Sequence, residues 1–316
     1  MSSSATTSPV SLLDIPELPL KLICSYVGFK SLQSLRLVSK PLCHFIDTQK
    51  PSVEIDDFTI RINHDSMQLK LTSCGLNSHL LAHVLEKEML VCSGGRIRGS
   101  ENKDYLNYAF NAVKFVLNTQ TTHTFKRLEY SDEFNPEFSK MFEKFLTDQN
   151  IILRVCEFSF EGNEHQALRF LPFLDSNILK RFNFCGGSES ISSDDLTKLE
   201  HWKKAKHLSI NNKVFCVSIQ NFSHFETAGF CMHTITAQDL IYLREKYSQS
   251  PDFSSAIISY RILEPAAAQV FGEPSWKDKW VFRCYDPNFA LIIDFAYQHI
   301  RFHRTHISST TLSVIE

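Results

Sequence analysis

Residues 13 to 47, LDIPELPLKLICSYVGFKSLQSLRLVSKPLCHFID, constrain this chain most. A 35-residue unit this rich in Leu, Ile and Val cannot hide its apolar surface by itself. Ile15 precedes a proline and is pushed to extended geometry, and Pro19 suits the first turn of a helix. Leu20, Leu22, Ile23, Tyr26 and Val27 then form one apolar surface, and Gly28 is read as the end of that helix. Ser31 is read as the cap of a second helix, with Leu32, Leu35 and Val38 on one face. Lys40-Pro41 bends the chain before a last turn carrying Leu42, Phe45 and Ile46.

The order of these residues resembles the F-box, the adaptor-binding module of Skp–cullin–F-box ubiquitin ligases. The segment departs from that pattern at Ser31, where the family often has an acidic residue, at Pro41, and at Leu42, where tryptophan is frequent. The resemblance implies binding to a Skp-family adaptor and through it to a cullin. Carried over by position, the adaptor-facing residues are Ile15, Pro16, Leu20, Ile23, Leu32, Leu35 and Val38.

The whole chain has 316 residues, 43% of them apolar, with 26 phenylalanines, which argues for a folded protein of one large or two ordinary domains. Its 33 basic and 35 acidic residues nearly cancel, so no electrostatic footprint for nucleic acid or an anionic membrane is expected. No apolar run approaches the roughly 20 residues that span a bilayer. The Ser/Thr-rich start, MSSSATTSPV, reads as a flexible tail and not a signal peptide. Nine cysteines without a Cys-x-x-Cys pair fit reduced thiols in the cytoplasm or nucleus.

Beyond Pro51, residues 53–62 and 67–71 read as a hairpin around Asn63-His64-Asp65-Ser66. GGRIRG at 94–99 lacks phosphate-loop spacing and is read as a surface loop. A helix is expected over 104–118. Strands centred near 129, 159, 183 and 209 then alternate with helices, at steps of 30, 24 and 26 residues. A helix capped at Ser192 or Ser193, a weaker strand near Phe230 and a helix capped by Thr236 continue the pattern. The last strands are expected at 255–262, 279–284, 289–294 and 299–304, with Trp280, Phe282, Leu291, Ile293 and Phe302 closing the apolar end. The fold class is therefore α+β: a three-helix F-box, then an irregular leucine-rich-repeat-like strand–helix stack with C-terminal strands.

DDLTKLEHWKKAKHLSI (194–210), NFSHFE (221–226) and ITAQDLIYLREKYSQSPDF (235–253) resemble the F-box-associated FTH domain of nematode F-box proteins, taken in that family as the substrate-recruiting half. The organisation expected is a tail at 1–11, the F-box at 12–48, a connecting region at 49–119, the FTH domain at 120–260 and closing strands at 261–316. If the apolar residues of each short strand face the core, Arg127, Glu129, Glu157, Ser159, Arg181, Asn183, His207 and Ser209 face outward. Stacked strands would align them into one mixed-charge ladder, read as substrate-binding.

Active-site chemistry is not expected. His79 and His83 would share a helix face but lack the zinc-protease glutamate, and His299, His303 and His306 lack a third ligand type. No nucleophile elbow or catalytic-cysteine signature is present, so no cofactor or metal is expected. The reading is a non-catalytic substrate receptor of a ubiquitin ligase, acting on a protein substrate that the residues do not name. The alternative is an F-box scaffold or regulator without a degradation target.

Overall fold

The computed structural model describes residues 11–62, 66–73, 76–85, 88–93, 96–100, 105–120, 123–131, 136–186, 190–191, 194–274 and 279–307. The chain divides into two compact units, Met1–Lys126 and Arg127–Glu316.

The first unit opens on a short 3₁₀ turn, Leu12–Asp14, closed by a capping box. The Ser11 hydroxyl accepts from the Leu13 N–H, and the Asp14 carboxylate accepts from the Ser11 N–H at 2.7 Å. Helices α1 (Glu17–Tyr26), α2 (Gly28–Arg36) and α3 (Lys40–Gln49) follow. Gly28 opens α2 where it was expected only to end α1. Its φ of +68°, open to glycine at little cost, redirects the chain from one helix into the next with Val27 alone between them. Ser31 therefore lies inside α2 and caps nothing; the capping serine is Ser39, whose hydroxyl accepts from the Leu42 N–H at 3.3 Å, with Pro41 in the first turn of α3.

Leu20, Cys24, Phe29, Leu32, Leu42 and Ile46 of these helices are buried. Arg36 of α2 clamps α3 by binding Asp47 at 2.8 Å and lies over the Phe115 ring at 4.3 Å. Phe115 belongs to α4 (Tyr105–Thr119), and Phe29 meets it edge-on, so α4 buttresses the helical hairpin.

Between α3 and α4 the chain forms an antiparallel meander of β1 (Asp57–Ile62), β2 (Ser66–Ser73), β3 (Leu76–Leu85), β4 (Glu88–Ser93) and β5 (Arg96–Ser100). Phe58, Ile60 and Ile62 alternate inward opposite Leu71, Leu69 and Met67. Two expectations are corrected here. Arg96–Gly99 of GGRIRG is not loop but strand, because β4 offers a partner edge and Ser93 registers on Arg96; Gly94 and Gly95 lie outside the described residues. His79 and His83 stand in β3, opposite Lys70 and Ser66, and not on a helix. The expected hairpin loop at 63–65 also lies outside the described residues.

The second unit is a large sheet with helices. It takes in β6 (Phe125–Ser131) from Arg127 onward. Then come α5 (Pro136–Asp148), β7 (Val155–Glu161), α6 (Glu164–Phe170), β8 (Arg181–Cys185), β9 (Ser190–Ile191), α7 (Asp195–Lys198), α8 (Glu200–Lys204) and β10 (His207–Phe215). β11 (Thr227–Ile235), α9 (Ala237–Gln249) and β12 (Ser255–Leu263) lead to β13 (Lys279–Arg283), β14 (Phe289–Ala296) and β15 (His299–His306). Strands β6, β7, β8, β10, β11 and β12 lie side by side in chain order, and β7 through β12 pair in parallel along that path. The sheet ends with β15, β14 and β13, all antiparallel.

Alternate residues are buried along β8 and most of β11, while β13 and β14 bury consecutive residues. Phe158, Phe182, Leu208, Ala228, Ala256 and Phe302 stand in one register row across six strands. The helices cover that face. Phe170 of α6 stacks on Phe158 at 5.3 Å and 8°, Phe142 of α5 reaches Phe170, and Trp202 of α8 meets Phe182 edge-on. Trp202 also packs against Phe222 and Phe225, while its indole N–H donates to the Asn221 carbonyl at 2.8 Å. Tyr247 of α9 stacks on Phe253.

The helix expected from Ser192 or Ser193 is two short helices, because Leu199 takes extended geometry (ψ 142°) between them; Ser192 and Ser193 lie outside the described residues. The strand near Phe230 is a full nine residues and no weaker than its neighbours, since it is paired on both edges. Thr236 caps α9 through a capping box with Asp239. Trp280, Phe282, Leu291, Ile293 and Phe302 are all buried.

Two measurements test this core. Phe158→Ala removes a ring from the centre of the stack and is expected to lower the unfolding free energy by about 3–5 kcal/mol in urea titration. His224 lies against Phe225, and its ring Nε2 is 2.9 Å from the Trp202 carbonyl. Burial holds the His224 pKa below its ordinary 6.5, against the opposing effect of that carbonyl. The folded state thus favours the neutral ring, so this stability is present above pH 6.5 and is lost as pH falls below it. The urea midpoint is expected to drop between about pH 7.5 and 5.5, and His224→Asn should flatten part of that slope.

Candidate functional site

Helices α1, α2 and α3 bury one apolar set and expose another. Leu20 (2% exposed) and Leu32 (0%), two of the seven residues expected to face an adaptor, are buried within the chain. An amphipathic period marks an apolar side without saying whether that side meets its own chain or another. Ile15 and Leu35 are half-buried and Pro16 is exposed. Ile23 and Val38 are exposed. Exposed apolar residues that the spacing argument did not name are Leu13, Leu18 and Leu37, while Leu22 and Tyr26, named in the apolar surface of α1 but not among the adaptor-facing residues, are exposed as well; Leu18, Tyr26 and Leu37 are about four-fifths exposed. The available signal was the density of leucines, more than one helical stripe can bury.

The outward face of the second unit carries the other expected set. Register places Glu157, Arg181, His207, Thr227 and Ser255 in one row, and Ser159, Asn183, Ser209, Gly229 and Ile257 in the next. The ladder is therefore aligned, and its members bind each other. Glu157 is the hub: Arg127 Nε lies 3.2 Å and Arg181 Nε 3.6 Å from its carboxylate, and the Asn183 amide donates to it at 3.0 Å. The same amide nitrogen donates to the Ser159 hydroxyl. His207 Nδ1 is 2.8 Å from the Thr227 hydroxyl, and burial, then the neighbouring Arg181 charge, push its pKa below 6.5. Glu129 stands two residues beyond Arg127 on β6 and is half-buried.

The two arrangements differ in chemistry. The first offers bare apolar side chains on short helices; the second offers oriented charges on a rigid sheet. Among the described residues, no group of three or more His, Cys, Asp or Glu side chains is placed to hold a metal ion, and no helix is long and apolar enough to cross a membrane.

Comparison with known proteins yields two family matches. The F-box domain matches residues 12–53, and the FTH domain matches residues 136–275. F-box A protein 224 of Caenorhabditis elegans is 24% identical over 172 residues, covering 54% of this chain. The match spans 42% of that relative's own length, less than half of it. No solved structure matches. With the exposed helical hairpin at its start and the FTH match over the strand–helix region that follows, the chain is an F-box protein carrying a C-terminal FTH domain.

Proposed function

We propose that this chain is the substrate-receiving subunit of a Skp–cullin–F-box ubiquitin ligase, with the F-box docking on a Skp-family adaptor and the FTH unit capturing a protein target. One observation carries the reading: of twelve large apolar residues exposed among the described residues, seven fall between Leu13 and Val38. Such a concentration signals a protein interface. The adaptor-facing set is then Ile15, Pro16, Ile23, Leu35 and Val38, joined by Leu18, Leu22, Tyr26 and Leu37. Leu20 and Leu32 act from below as supports. Each large side chain fully buried on docking contributes about 1.5–3 kcal/mol before the costs of association.

The FTH unit is read as an irregular leucine-rich-repeat-like coil. Its in-register residues Glu157, Arg181, His207, Thr227 and Ser255 step by 24, 26, 20 and 28 residues, each step leaving one parallel strand and returning to the next, through α6, through β9 with α7 and α8, through a 3₁₀ turn (Ile219–Phe222) and through α9. In this reading the ladder of Arg127, Glu129, Glu157, Arg181, Asn183 and His207 is the recruiting face, supported by its alignment across neighbouring strands. Ubiquitin transfer would be promoted by proximity, with the target held beside a donor that others supply.

Leu22→Asp with Ile23→Asp changes exposed residues, so the chain is expected to fold normally and to lose adaptor pull-down. Undiminished pull-down would contradict the interface. Arg127→Glu with Arg181→Glu is expected to weaken capture of targets while adaptor binding persists. Proteins captured by the wild-type chain should live longer in cells when the Leu22/Ile23 variant replaces it; unchanged half-lives would favour a scaffold or regulator without a degradation target.

A further inference from the structure

The chemistry of the recruiting face can be taken one step further, resting on the reading just given. A guanidinium has two edges that can grip an anion, one formed by Nε with a terminal nitrogen and one by the two terminal nitrogens. Arg127 and Arg181 both meet Glu157 through Nε, so the terminal edge of each fork is left for a second anion. Both side chains are about half exposed. Glu157, itself held by Asn183, keeps the two forks in place on either side of β7.

The surroundings favour a negative partner. At the strand starts, among the described residues, the four cations Arg127, Lys180, Arg181 and Lys206 outnumber the nearby carboxylates Glu157, Glu226 and Asp252, and His207 beside them is neutral near pH 7. Glu129 and Glu161 stand two and four residues farther along their strands, about 7 and 13 Å away. The neighbouring positions Thr227, Ser209 and Gly229 are small and uncharged. We propose that Arg127 and Arg181 form a two-fork clamp for an acidic segment of the target protein, each fork taking one Asp or Glu carboxylate. Two separate carboxylates fit better than one phosphate, because Glu157 occupies the midpoint and would repel a dianion placed there.

The test uses the full chain and three fluorescein-labelled eight-residue peptides read by anisotropy: alternating Asp and Gly, alternating Asn and Gly, and Gly with a single central phosphoserine. The Asp peptide is expected to bind, the Asn peptide not to bind, and added salt to weaken the complex. Arg127→Lys with Arg181→Lys keeps the charge and removes the forks. It should weaken the Asp peptide at least tenfold while the circular dichroism spectrum and adaptor pull-down stay as in the wild type. Equal binding by the double-lysine variant, equal binding of the Asn peptide, or no binding of the Asp peptide overturns the clamp. Tenfold tighter binding of the phosphoserine peptide overturns the choice of carboxylate. If cellular targets are still captured by the double-lysine variant, the clamp fails and the receptor reading stands. If the Asp peptide binds as expected but captured proteins keep normal half-lives, the receptor reading fails and the clamp stands.

Discussion

The parallel register of the FTH strands is the constraint on which the rest of that unit depends. One alignment places Phe158, Phe182, Leu208, Ala228 and Ala256 in a single buried row, and the same alignment places Glu157, Arg181, His207, Thr227 and Ser255 in a row on the opposite face. Slipping any strand by one residue would bring charges to the helices and aromatic rings to water. Stacked rings hold that register: Phe170 lies nearly coplanar on Phe158, and Phe158 on Phe182. Core packing and ladder are therefore one structural decision, and the ion network around Glu157 inherits its precision from rings that never touch it.

The F-box shows the complementary arrangement. Its short helices cannot bury every apolar residue they carry, and the structure sorts them. Leu20, Leu32, Leu42 and Ile46 close the hairpin, while Leu18, Leu22, Ile23, Tyr26, Leu37 and Val38 stay outside. Arg36 secures the hairpin to Asp47 and to Phe115 of α4, so the exposed set is presented on a braced support. Bracing matters for binding, because a surface already ordered loses less entropy when a partner arrives.

The charges on the FTH face are worth little to stability. Exposed ion pairs contribute roughly 0–1 kcal/mol, and Arg127 and Arg181 share one carboxylate at distances of 3.2 and 3.6 Å. A face held in register by buried rings and decorated by weakly bound charges can change its charge partners without unfolding. That is the physical basis for separating the role of the two arginines from the folding of the chain.

Much of this was legible in the residues. The Ile-Pro turn, the leucine-dense helices, the alternation of Phe158-Ser159-Phe160 and the Thr236–Asp239 capping box each identify an element through local sterics and periodicity, which act over a few residues. The strands around GGRIRG were not legible, because pairing supplied by β4 outweighs what glycine suggests locally. Nor was the division between buried Leu20 and exposed Leu18, since both are leucines on the same short helix. The sequence by itself determined most of the helices and the strands from β6 onward, their order and the kind of module at the N-terminal end, because residue order within a short window carries that information. Only the tertiary structure decided which apolar residues remain for a partner and that Arg127, Glu157 and Arg181 meet, because both depend on contacts between residues far apart in the chain.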